Sequence, residues 1–386
     1  MLIIKIIWWF SVFIIFEAMI GYPLSLIALD KIIKRKNKKD YLYEPTVSVM
    51  VAAHNEEKVI EKKLNNLLEL DYPHEKLDFL IASDFSTDGT NEIVEQFIKS
   101  HPERKIQIHK SKSHLGKTNA QDETQELCDS EILVMTDANA MMEKESVREL
   151  VASFSSDDIA YVTGQLKYIN STSNVTAGSE GFYWKLDLMC RNIESNIQTI
   201  TAGNGSIYAV RNSEYIKIEP IKSHDLFFPH IYALKKKRAI YNPEAVAYEK
   251  AGETVGDEFK RKVRMSRGVL SSILPSLEIL NIFRYRWYSY FYFGHRSCRY
   301  LLWLSHCLLL ISNAFLLGGG WFWRLAFAVQ LLFYCIAIIG WTSKSKNRVF
   351  RMAAYYCMTI IAQWYGVYNI LTGRAKPVWE KAETTR

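Results

Sequence analysis

The chain has 386 residues and a formal net charge of +7, and 49% of its residues are hydrophobic. A chain of this length accommodates about two domains of roughly 150 residues each. Its six cysteines form no CxxC pair, which argues against a disulfide framework or a zinc pattern and favours a reduced, cytosolic domain. No nucleic-acid-binding motif accompanies the positive charge, so nucleic acid is not an expected partner.

An apolar segment opens the chain, and a strongly basic segment follows it. Leu2 to Leu29 exceeds the roughly 20 apolar residues needed to cross a bilayer. It is longer than the apolar core of a signal peptide, so we predict an uncleaved anchor over residues 1–30. The basic linker over residues 31–45 marks the cytoplasmic side and favours contact with anionic membrane lipids, which places the N-terminus outside.

The central segment, residues 46–270, alternates strand-like and helix-like runs. In its first half this alternation predicts an α/β fold with a mainly parallel sheet that helices cover on both faces. The predicted strands there are 47–51, 77–81, 105–109 and 132–135, and the helices are 56–70, 90–98, 117–127 and 146–154. In the second half we predict strands at 160–168, 207–210 and 245–248, and helices at 179–196, 225–237 and 259–270.

The last part of the chain has the composition of a membrane region. Residues 271–297 mix aromatic residues with arginine, which is typical of a helix in the membrane interface. Residues 298–373 contain two predicted spans and a further apolar stretch, namely Tyr300–Leu317, Trp321–Trp341 and Met352–Leu371. Whether the last stretch crosses the bilayer is left open, although the charge of the basic tail, residues 374–386, favours the inside.

The most informative stretch is Thr136-Asp137-Ala138-Asn139, which directly follows the apolar run Ile132–Met135. Open α/β sheets bind ligands at the carboxyl ends of their strands, where this acid and amide are expected. Their oxygens suit Mg²⁺ or Mn²⁺ holding a diphosphate. Alone the triplet is a weak signal, because most such triplets cap a helix.

Three further polar loops follow the predicted strands Val47–Val51, Leu77–Ile81 and Lys105–His109. In the second of these loops Asp88 suits a helix cap, whereas Asp84 comes too early to cap the same helix and is available for a ligand. The loops are Ala52–Glu57, Ser83–Thr90 and His114–Lys117. Four polar loops at one edge of a sheet predict a nucleotide site.

With these loops in this order, the segment from about Val47 to Gly268 resembles the family 2 inverting glycosyltransferases of the GT-A fold. The resemblance implies that Asp225, after His224, is the catalytic base and that Arg264 is a donor-side cation. The donor-binding residues that it implies are Ala53, Asn55, Glu56, Asp84, Lys117, Asp137 and Arg264. The implied acceptor-side residues are Gly203, Asn204, Gly205 and His224, and the implied ligands of Mg²⁺ or Mn²⁺ are Asp137 and Asn139.

The chain departs from the family pattern at several of these positions. Asn139 stands where the second acid of the DxD element is expected, and Ser83 replaces the first of two adjacent acids. The segment from Arg261 to Met265 stands where processive members carry Gln-x-x-Arg-Trp, so only the arginine is kept. His224 precedes Asp225 in place of a glutamate, which removes a negative neighbour.

The predicted function is that of a metal-dependent, hexosyltransferase-type glycosyltransferase anchored in the plasma membrane by several spans. We expect it to move a sugar from a nucleotide sugar, a UDP-sugar, to a lipid-linked or polysaccharide acceptor at the cytoplasmic face. The alternatives are a processive synthase that extrudes its polymer through its own spans, and a catalytically inactive membrane scaffold. The sequence names neither the sugar, the acceptor nor the linkage, and it leaves the oligomeric state open.

Overall fold

The structure is a computed structural model, and it describes residues 1–169, 177–252, 254–343 and 347–378, without the side chains of residues 177–183 and 255. The chain forms two compact units. The sheet unit comprises Arg35–Asn170, Arg191–Gly252 and Lys376–Arg386, and the helical unit comprises Met1–Lys34, Ser171–Cys190 and Glu253–Ala375. The domain boundaries drawn from the sequence stay predictions. The first side chains of the predicted helix 179–196 and the tail beyond residue 378 lie outside the described residues.

Eight strands form one sheet in the sheet unit. They are β1 (Val47–Ala53), β2 (Leu77–Ser83), β3 (Ile106–Lys110), β4 (Ile132–Asp137), β5 (Met141–Met142), β6 (Ile159–Tyr168), β7 (Ile207–Arg211) and β8 (Arg238–Glu249). Their order is β3-β2-β1-β4-β7-β6-β8-β5. Strands β3, β2, β1 and β4 are parallel, while β7 pairs antiparallel with both β4 and β6. The sheet is therefore mixed, with the predicted parallel half confirmed.

The described α-helices are numbered in chain order. They are α1 (Leu2–Phe16), α2 (Tyr22–Ile33), α3 (Ile60–Leu68), α4 (Thr90–Ser100), α5 (Lys117–Thr124), α6 (Ser146–Ala152), α7 (Ala177–Ile197), α8 (His224–Leu234), α9 (Val255–Met265), α10 (Val269–Ile273), α11 (Ile282–Tyr285), α12 (Trp287–Tyr292), α13 (Cys298–Tyr300), α14 (Leu302–Leu316), α15 (Trp321–Thr342) and α16 (Arg348–Leu371). A π-helical turn, Glu17–Gly21, joins α1 to α2.

Two elements differ from the sequence prediction for identifiable reasons. Helix α3 begins at Ile60 instead of residue 56, because the preceding loop is held by α4: the Glu56 amide donates to the Thr90 hydroxyl at 2.7 Å. Strand β8 begins at Arg238, well before the predicted strand, although it contains Pro243. The pairing of β6 with β8 jumps from Thr163–Tyr241 to Gln165–Val246, so an irregularity in β8 accommodates the proline.

The core of the sheet unit lies on both faces of the parallel strands. Every residue of β1 is buried, as expected for a central strand covered on both sides. Helix α3 packs against the sheet through an apolar stripe that includes Leu64 and Leu67, each 1% exposed. Because the parallel strands all run the same way, the loops that follow β1, β2 and β4 leave the sheet at one edge.

The helical unit contains three described helical stretches that are long and apolar enough to cross a membrane. They are Leu2–Ile33, Leu302–Gly319 and Trp321–Thr342, which agree with three of the predicted apolar segments. Helix α16, which covers the fourth predicted stretch, does not meet the same criteria of length and composition. The structure therefore offers three candidate spans among the described residues.

A chain of side-chain hydrogen bonds links the apolar helices of this unit. The Trp8 indole donates to Asn313 at 3.0 Å, and the Asn313 amide donates to Gln330 at 3.0 Å. Gln330 in turn donates to the Tyr334 hydroxyl at 3.0 Å, which lies 2.9 Å from Nδ1 of His306. Polar side chains that are buried between apolar helices satisfy one another in this way because the apolar side chains around them offer no alternative partner. The network thus joins α1, α14 and α15.

The packing of α3 against the sheet generates a first prediction. Leu64→Ala should lower the free energy of unfolding by about 2–5 kcal/mol, because it removes a fully buried side chain and leaves a cavity. Chemical denaturation of the purified protein, followed by intrinsic fluorescence, measures the change. Lys62→Ala, at an exposed position of the same helix, is the matched control and should have a small effect. Equal losses in the two variants would contradict the assigned packing.

Candidate active site

Asp137, the last residue of β4, lies at the centre of the polar edge of the sheet. One of its carboxylate oxygens contacts the ammonium group of Lys117, and the other accepts a hydrogen bond from the Ser206 hydroxyl at 3.1 Å. Lys117, at the start of α5, also donates to the carbonyl oxygen of Gly205 at 2.7 Å. The loop after β4, the start of α5 and the glycine-rich loop before β7 are therefore joined by one acid and one lysine.

Asn139 and Glu249 lie beside this cluster. The Asn139 amide nitrogen donates to Oε1 of Glu249 at 2.8 Å, and Oε2 of Glu249 is 3.5 Å from the Ser206 hydroxyl. A hydroxyl has a single proton, so the shorter contact of Ser206 with Asp137 is the stronger hydrogen bond. Glu249 is the last residue of β8, and the sequence analysis did not identify it as a site residue.

The oxygens around Asp137 fit a hard divalent cation. Mg²⁺ and Mn²⁺ take oxygen ligands, and carboxylate and amide carbonyl groups supply them here from Asp137, Asn139 and Glu249. The positive Lys117 ammonium already lies against the Asp137 carboxylate, so this position attracts a cation. The predicted pair of ligands, Asp137 and Asn139, is thus compatible with the arrangement.

A buried lysine lies beneath the same loop. Lys63, in α3, is completely buried, and its ammonium group donates to the Thr136 hydroxyl at 3.1 Å and contacts the Ala140 carbonyl. Burial lowers the pKa of Lys63 to about 7, although the negative charge of Asp137 acts in the opposite direction. Sequence reasoning missed Lys63, and the available signal was a lysine directly before Leu64 on the buried side of an amphipathic helix.

Asp84 is buried in the loop after β2. Its Oδ1 accepts a hydrogen bond from the Gly116 amide at 3.3 Å, which ties this loop to the start of α5. Its Oδ2 lies 2.8 Å from Nδ1 of His114, but the angles at these two atoms do not suit a hydrogen bond between them. Asp84 and Gly116 therefore lie together, as the proposed order of loops requires.

His54, Asp84 and His114 form the one group of three potential metal ligands found among the described residues. The two imidazole rings are stacked, with centroids 3.9 Å apart and an interplanar angle of 9°. The lone pairs of stacked rings lie in parallel planes, so the two histidines do not aim at a common ion. The geometry of this trio therefore does not favour it as a metal site, and Asp137 and Asn139 stay the predicted ligands.

The other predicted residues of the first loop contact the loop after β2. Asn55 has a left-handed backbone, with φ at 54°, and its side-chain oxygen accepts a hydrogen bond from the Thr87 amide at 2.7 Å. Ala53 is buried, and its carbonyl accepts from the Asp84 amide at 2.9 Å. Glu56 is buried as well. These residues connect the loops after β1 and β2.

Asp225 lies in the first turn of α8, two residues after the N-cap position at Ser223. A methyl group at Gly205 would lie 3.5 Å from the carboxylate carbon of Asp225, so the carboxylate faces that glycine. The Asp225 carbonyl accepts a hydrogen bond from the Gly203 amide at 2.6 Å. Gly205 thus has Lys117 at its carbonyl oxygen and Asp225 at its Cα.

His224 and Asn204 are buried in their loops. Nε2 of His224 lies 3.0 Å from Oδ1 of Asp122, and Nδ1 lies 3.2 Å from the Tyr208 hydroxyl. Asn204 accepts a hydrogen bond from the Ser206 amide at 3.0 Å. His224 therefore anchors the start of α8 next to Asp225. Arg264 lies in α9 of the helical unit, and its role stays a prediction.

The segment around Pro377 lies against the loop that precedes α5. A Cβ atom at Gly116 would approach the carbonyl oxygen of Pro377 to 2.7 Å, which is closer than real Cβ contacts. Gly116 also has φ at 98°, a conformation that favours glycine. Both residues belong to the sheet unit, so part of the predicted basic tail packs on the loop before α5.

Comparisons with known proteins show which sequences and folds this chain resembles. Residues 48–217 match the sequence profile of the family described as Glycosyl transferase family 2. A beta-monoglucosyldiacylglycerol synthase of Synechocystis sp. is 32% identical over 143 residues, which cover 37% of this chain and 30% of that protein. A poly-beta-1,6-N-acetyl-D-glucosamine synthase of Staphylococcus epidermidis is 23% identical over 239 residues, which cover 60% and 56%. The chain spans less than two thirds of either relative.

Among solved structures, a mannosyltransferase has a similar fold. The mannosyltransferase PcManGT of Pyrobaculum calidifontis, solved in complex with GDP-Man and Mn²⁺, matches with a TM-score of 0.72. The match covers 96% of this chain and 99% of that chain at 18% sequence identity. At this identity the likeness concerns the fold, and it confirms the expected GT-A architecture.

The close approach of Gly203 to Tyr161 generates a second prediction. A Cβ atom at Gly203 would lie 1.9 Å from the Tyr161 hydroxyl oxygen, so Gly203→Ala should destabilise the protein by about 1–3 kcal/mol through overpacking. The Tyr161 hydroxyl is buried, and its contact with the Thr163 side chain falls short of good hydrogen-bond geometry. Tyr161→Phe alone should therefore have a small effect.

The double variant tests the cause of that destabilisation. Gly203→Ala with Tyr161→Phe should recover part of the lost stability in denaturation measurements, because the colliding hydroxyl is gone. Recovery should be incomplete, since the ring carbon Cζ would still lie 2.7 Å from the new methyl group. Strictly additive effects of the two substitutions would contradict the collision.

Proposed function

We propose, from the match of residues 48–217 to the profile of Glycosyl transferase family 2, that the chain transfers a sugar, with inversion, from a nucleotide sugar to an acceptor hydroxyl. The observation that carries this proposal is the position of Gly205 between Lys117 and Asp225. A cation for the leaving diphosphate and a carboxylate for the acceptor hydroxyl thus lie beside the same residue, one at its carbonyl oxygen and the other at its Cα. Inverting transfer requires such groups on opposite faces of the sugar.

Asp225 acts as the general base in this proposal. Its carboxylate takes the proton of the acceptor hydroxyl while the oxygen forms a bond to the anomeric carbon of the donor sugar. The bond from that carbon to the diphosphate breaks, and its electron pair leaves with the phosphate oxygen. A positioned base contributes about 10²–10⁴-fold to such a step. The partial exposure of Asp225 leaves it accessible to an acceptor.

The groups around Asp137 stabilise the departing diphosphate. Lys117 supplies a positive charge near the phosphate oxygens, on which negative charge grows as the bond breaks. A divalent cation held by Asp137 and Asn139 supplies further neutralisation of that charge when it is bound. Lys63 holds the loop from Thr136 to Ala140 through two contacts, with the Thr136 hydroxyl and the Ala140 carbonyl.

The loop around Asp84 binds the nucleoside in this proposal. Asp84 is held by the Gly116 amide and lies beside the stacked His54 and His114 rings, so its carboxylate has a fixed position. A fixed carboxylate accepts hydrogen bonds from the ribose hydroxyls or the base of a nucleotide. The expected donor is a UDP-sugar, on the strength of the resemblance described above.

The acceptor is proposed to be membrane-associated. Three helical stretches that could cross a bilayer belong to the same chain, and the Synechocystis relative is, by its name, a synthase of a glucosylated diacylglycerol. A lipid-linked acceptor presented at the cytoplasmic face of the plasma membrane is consistent with both observations. The longer match to the Staphylococcus epidermidis synthase supports a second candidate, repeated transfer to a growing polysaccharide.

Replacement of the proposed base generates a third prediction. Asp225→Asn should lower kcat by about 10²–10⁴-fold, because the amide does not accept the acceptor proton. Binding of UDP, measured by calorimetry, should change little, since the Asp225 carboxylate faces Gly205, on the proposed acceptor side. Turnover is measured with a panel of nucleotide sugars and lipid acceptors, and the product length separates single transfer from polymerisation. Unchanged turnover would remove Asp225 from this role.

The position of Pro377 generates a fourth prediction, on membrane topology. Because Pro377 packs on the loop before α5, next to Gly116, we expect the chain after α16 to lie on the same side of the membrane as that loop. Two crossings, Leu302–Gly319 and Trp321–Thr342, return the chain to that side. We therefore propose that α16 does not cross the bilayer and that the chain has three crossings.

Single-cysteine labelling measures this topology in a background without the native cysteines. In intact cells a membrane-impermeant maleimide should label Gly318→Cys, in the turn between the two crossings, where added side-chain atoms meet open space. It should label the exposed position Lys376→Cys only after the cells are permeabilised. Labelling of Lys376→Cys in intact cells would mean that α16 crosses.

A further inference from the structure

The Glu249 carboxylate lies beside Asn139. In the family pattern the second acid of the metal-binding element is expected at position 139. We propose that Glu249 is a ligand of the divalent cation at Asp137 and replaces the acid that Asn139 lacks. The proposal rests on the function proposed above, and it adds a residue from a distant strand to the donor site. It also assigns to Asn139 the task of orienting Glu249.

The contacts of Ser206 show that the two acids share one site. Its hydroxyl lies 3.1 Å from Oδ2 of Asp137 and 3.5 Å from Oε2 of Glu249. Two carboxylates that both approach one hydroxyl oxygen are close enough to share a cation and its water ligands. The Ser206 hydroxyl itself is a neutral oxygen that a hard cation accepts.

The orientation of the Asn139 amide supports the same assignment. Its nitrogen donates to Oε1 of Glu249 at 2.8 Å, so the hydrogen bond fixes the glutamate carboxylate against the loop after β4. The carbonyl oxygen of the same amide is then the group that remains for a cation. An aspartate at position 139 would have no such donor and would repel Glu249, so the two residues are matched as a pair.

Charge considerations favour a carboxylate at this place. Ligand charge is one of the factors that set divalent-cation affinity, and a neutral amide in place of the second acid would weaken binding. Glu249 restores two negative charges to the cluster with Asp137. Lys117 compensates the charge of Asp137 in the structure. Its ammonium group is therefore available for the diphosphate once a divalent cation takes over that compensation.

The backbone holds Glu249 in this position. It is the last residue of β8. It pairs with Tyr168, the last residue of β6, in the parallel ladder between these two strands. The Ile169 amide also donates to the Glu249 carbonyl at 2.9 Å. A side chain on a paired strand end is better fixed than one on a free loop, as a metal ligand requires.

Mn²⁺ binding to the purified full-length protein tests the proposal without requiring sugar transfer. The free-ion signal in electron paramagnetic resonance gives the affinity, with UDP at a fixed concentration. Glu249→Gln should weaken Mn²⁺ binding about tenfold or more, although glutamine still accepts the hydrogen bond from Asn139. The matched control is Glu143→Gln. It removes the charge of an acid that contacts Tyr248, the neighbour of Glu249 in β8. It should leave the affinity unchanged.

A rescue variant separates a ligand from a residue that merely supports the loop. Glu249→Gln combined with Asn139→Asp should regain most of the Mn²⁺ affinity, because the second carboxylate then stands at the position typical of the family. Loss of affinity that Asn139→Asp does not repair would show a supporting role and overturn the proposal. An unchanged affinity in Glu249→Gln, or absence of Mn²⁺ binding by the unaltered protein, would also overturn it.

The two proposals fail in different ways. If Mn²⁺ binds through Glu249 but no nucleotide sugar is turned over, the proposed function is wrong and the ligand assignment stands. If sugar transfer occurs while Glu249→Gln binds Mn²⁺ like the unaltered protein, the ligand assignment is wrong and the function stands.

Discussion

The site depends on the parallel register of β1 between β2 and β4. Ala53 pairs with Ser83, and Ala52 pairs with Asp137, so the strands end at nearly the same level. The polar residues that follow these strands therefore all lie at one edge of the sheet. A shift of one strand by a single residue would turn its buried side chains towards the other face, and the buried core opposes such a shift. The apolar core therefore fixes the geometry of the polar loops.

Charge balance is the second constraint on the site. Asp137 lies between two lysines of different kinds: Lys63 is buried below the loop, and Lys117 reaches it from α5. A buried ammonium group is costly unless it has hydrogen-bond acceptors, and the Thr136 hydroxyl and the Ala140 carbonyl provide them. The loop is thus held in a defined conformation by a side chain that does not itself reach the solvent.

The sequence allowed the parallel half of the sheet and the order of its loops to be predicted. Apolar runs followed by polar loops are local patterns, and Asp84, Lys117 and Asp137 could be identified from them. Glu249 could not, because its position depends on the pairing of β6 with β8 and on the irregularity around Pro243. Lys63 was missed for a related reason, since the periodicity of a helix shows which face is buried but not what a buried lysine contacts.

The contact of Pro377 with Gly116 also bears on the order in which the protein is made. Domains generally fold from the N-terminus during synthesis, so the strands and α5 leave the ribosome long before Pro377. Helices α9 to α16 are synthesised between these two events. A nascent chain that has completed its sheet still lacks the contact of Pro377 with the loop before α5 until those helices have been made. Completion of the packing around this loop is therefore tied to synthesis of the apolar helices.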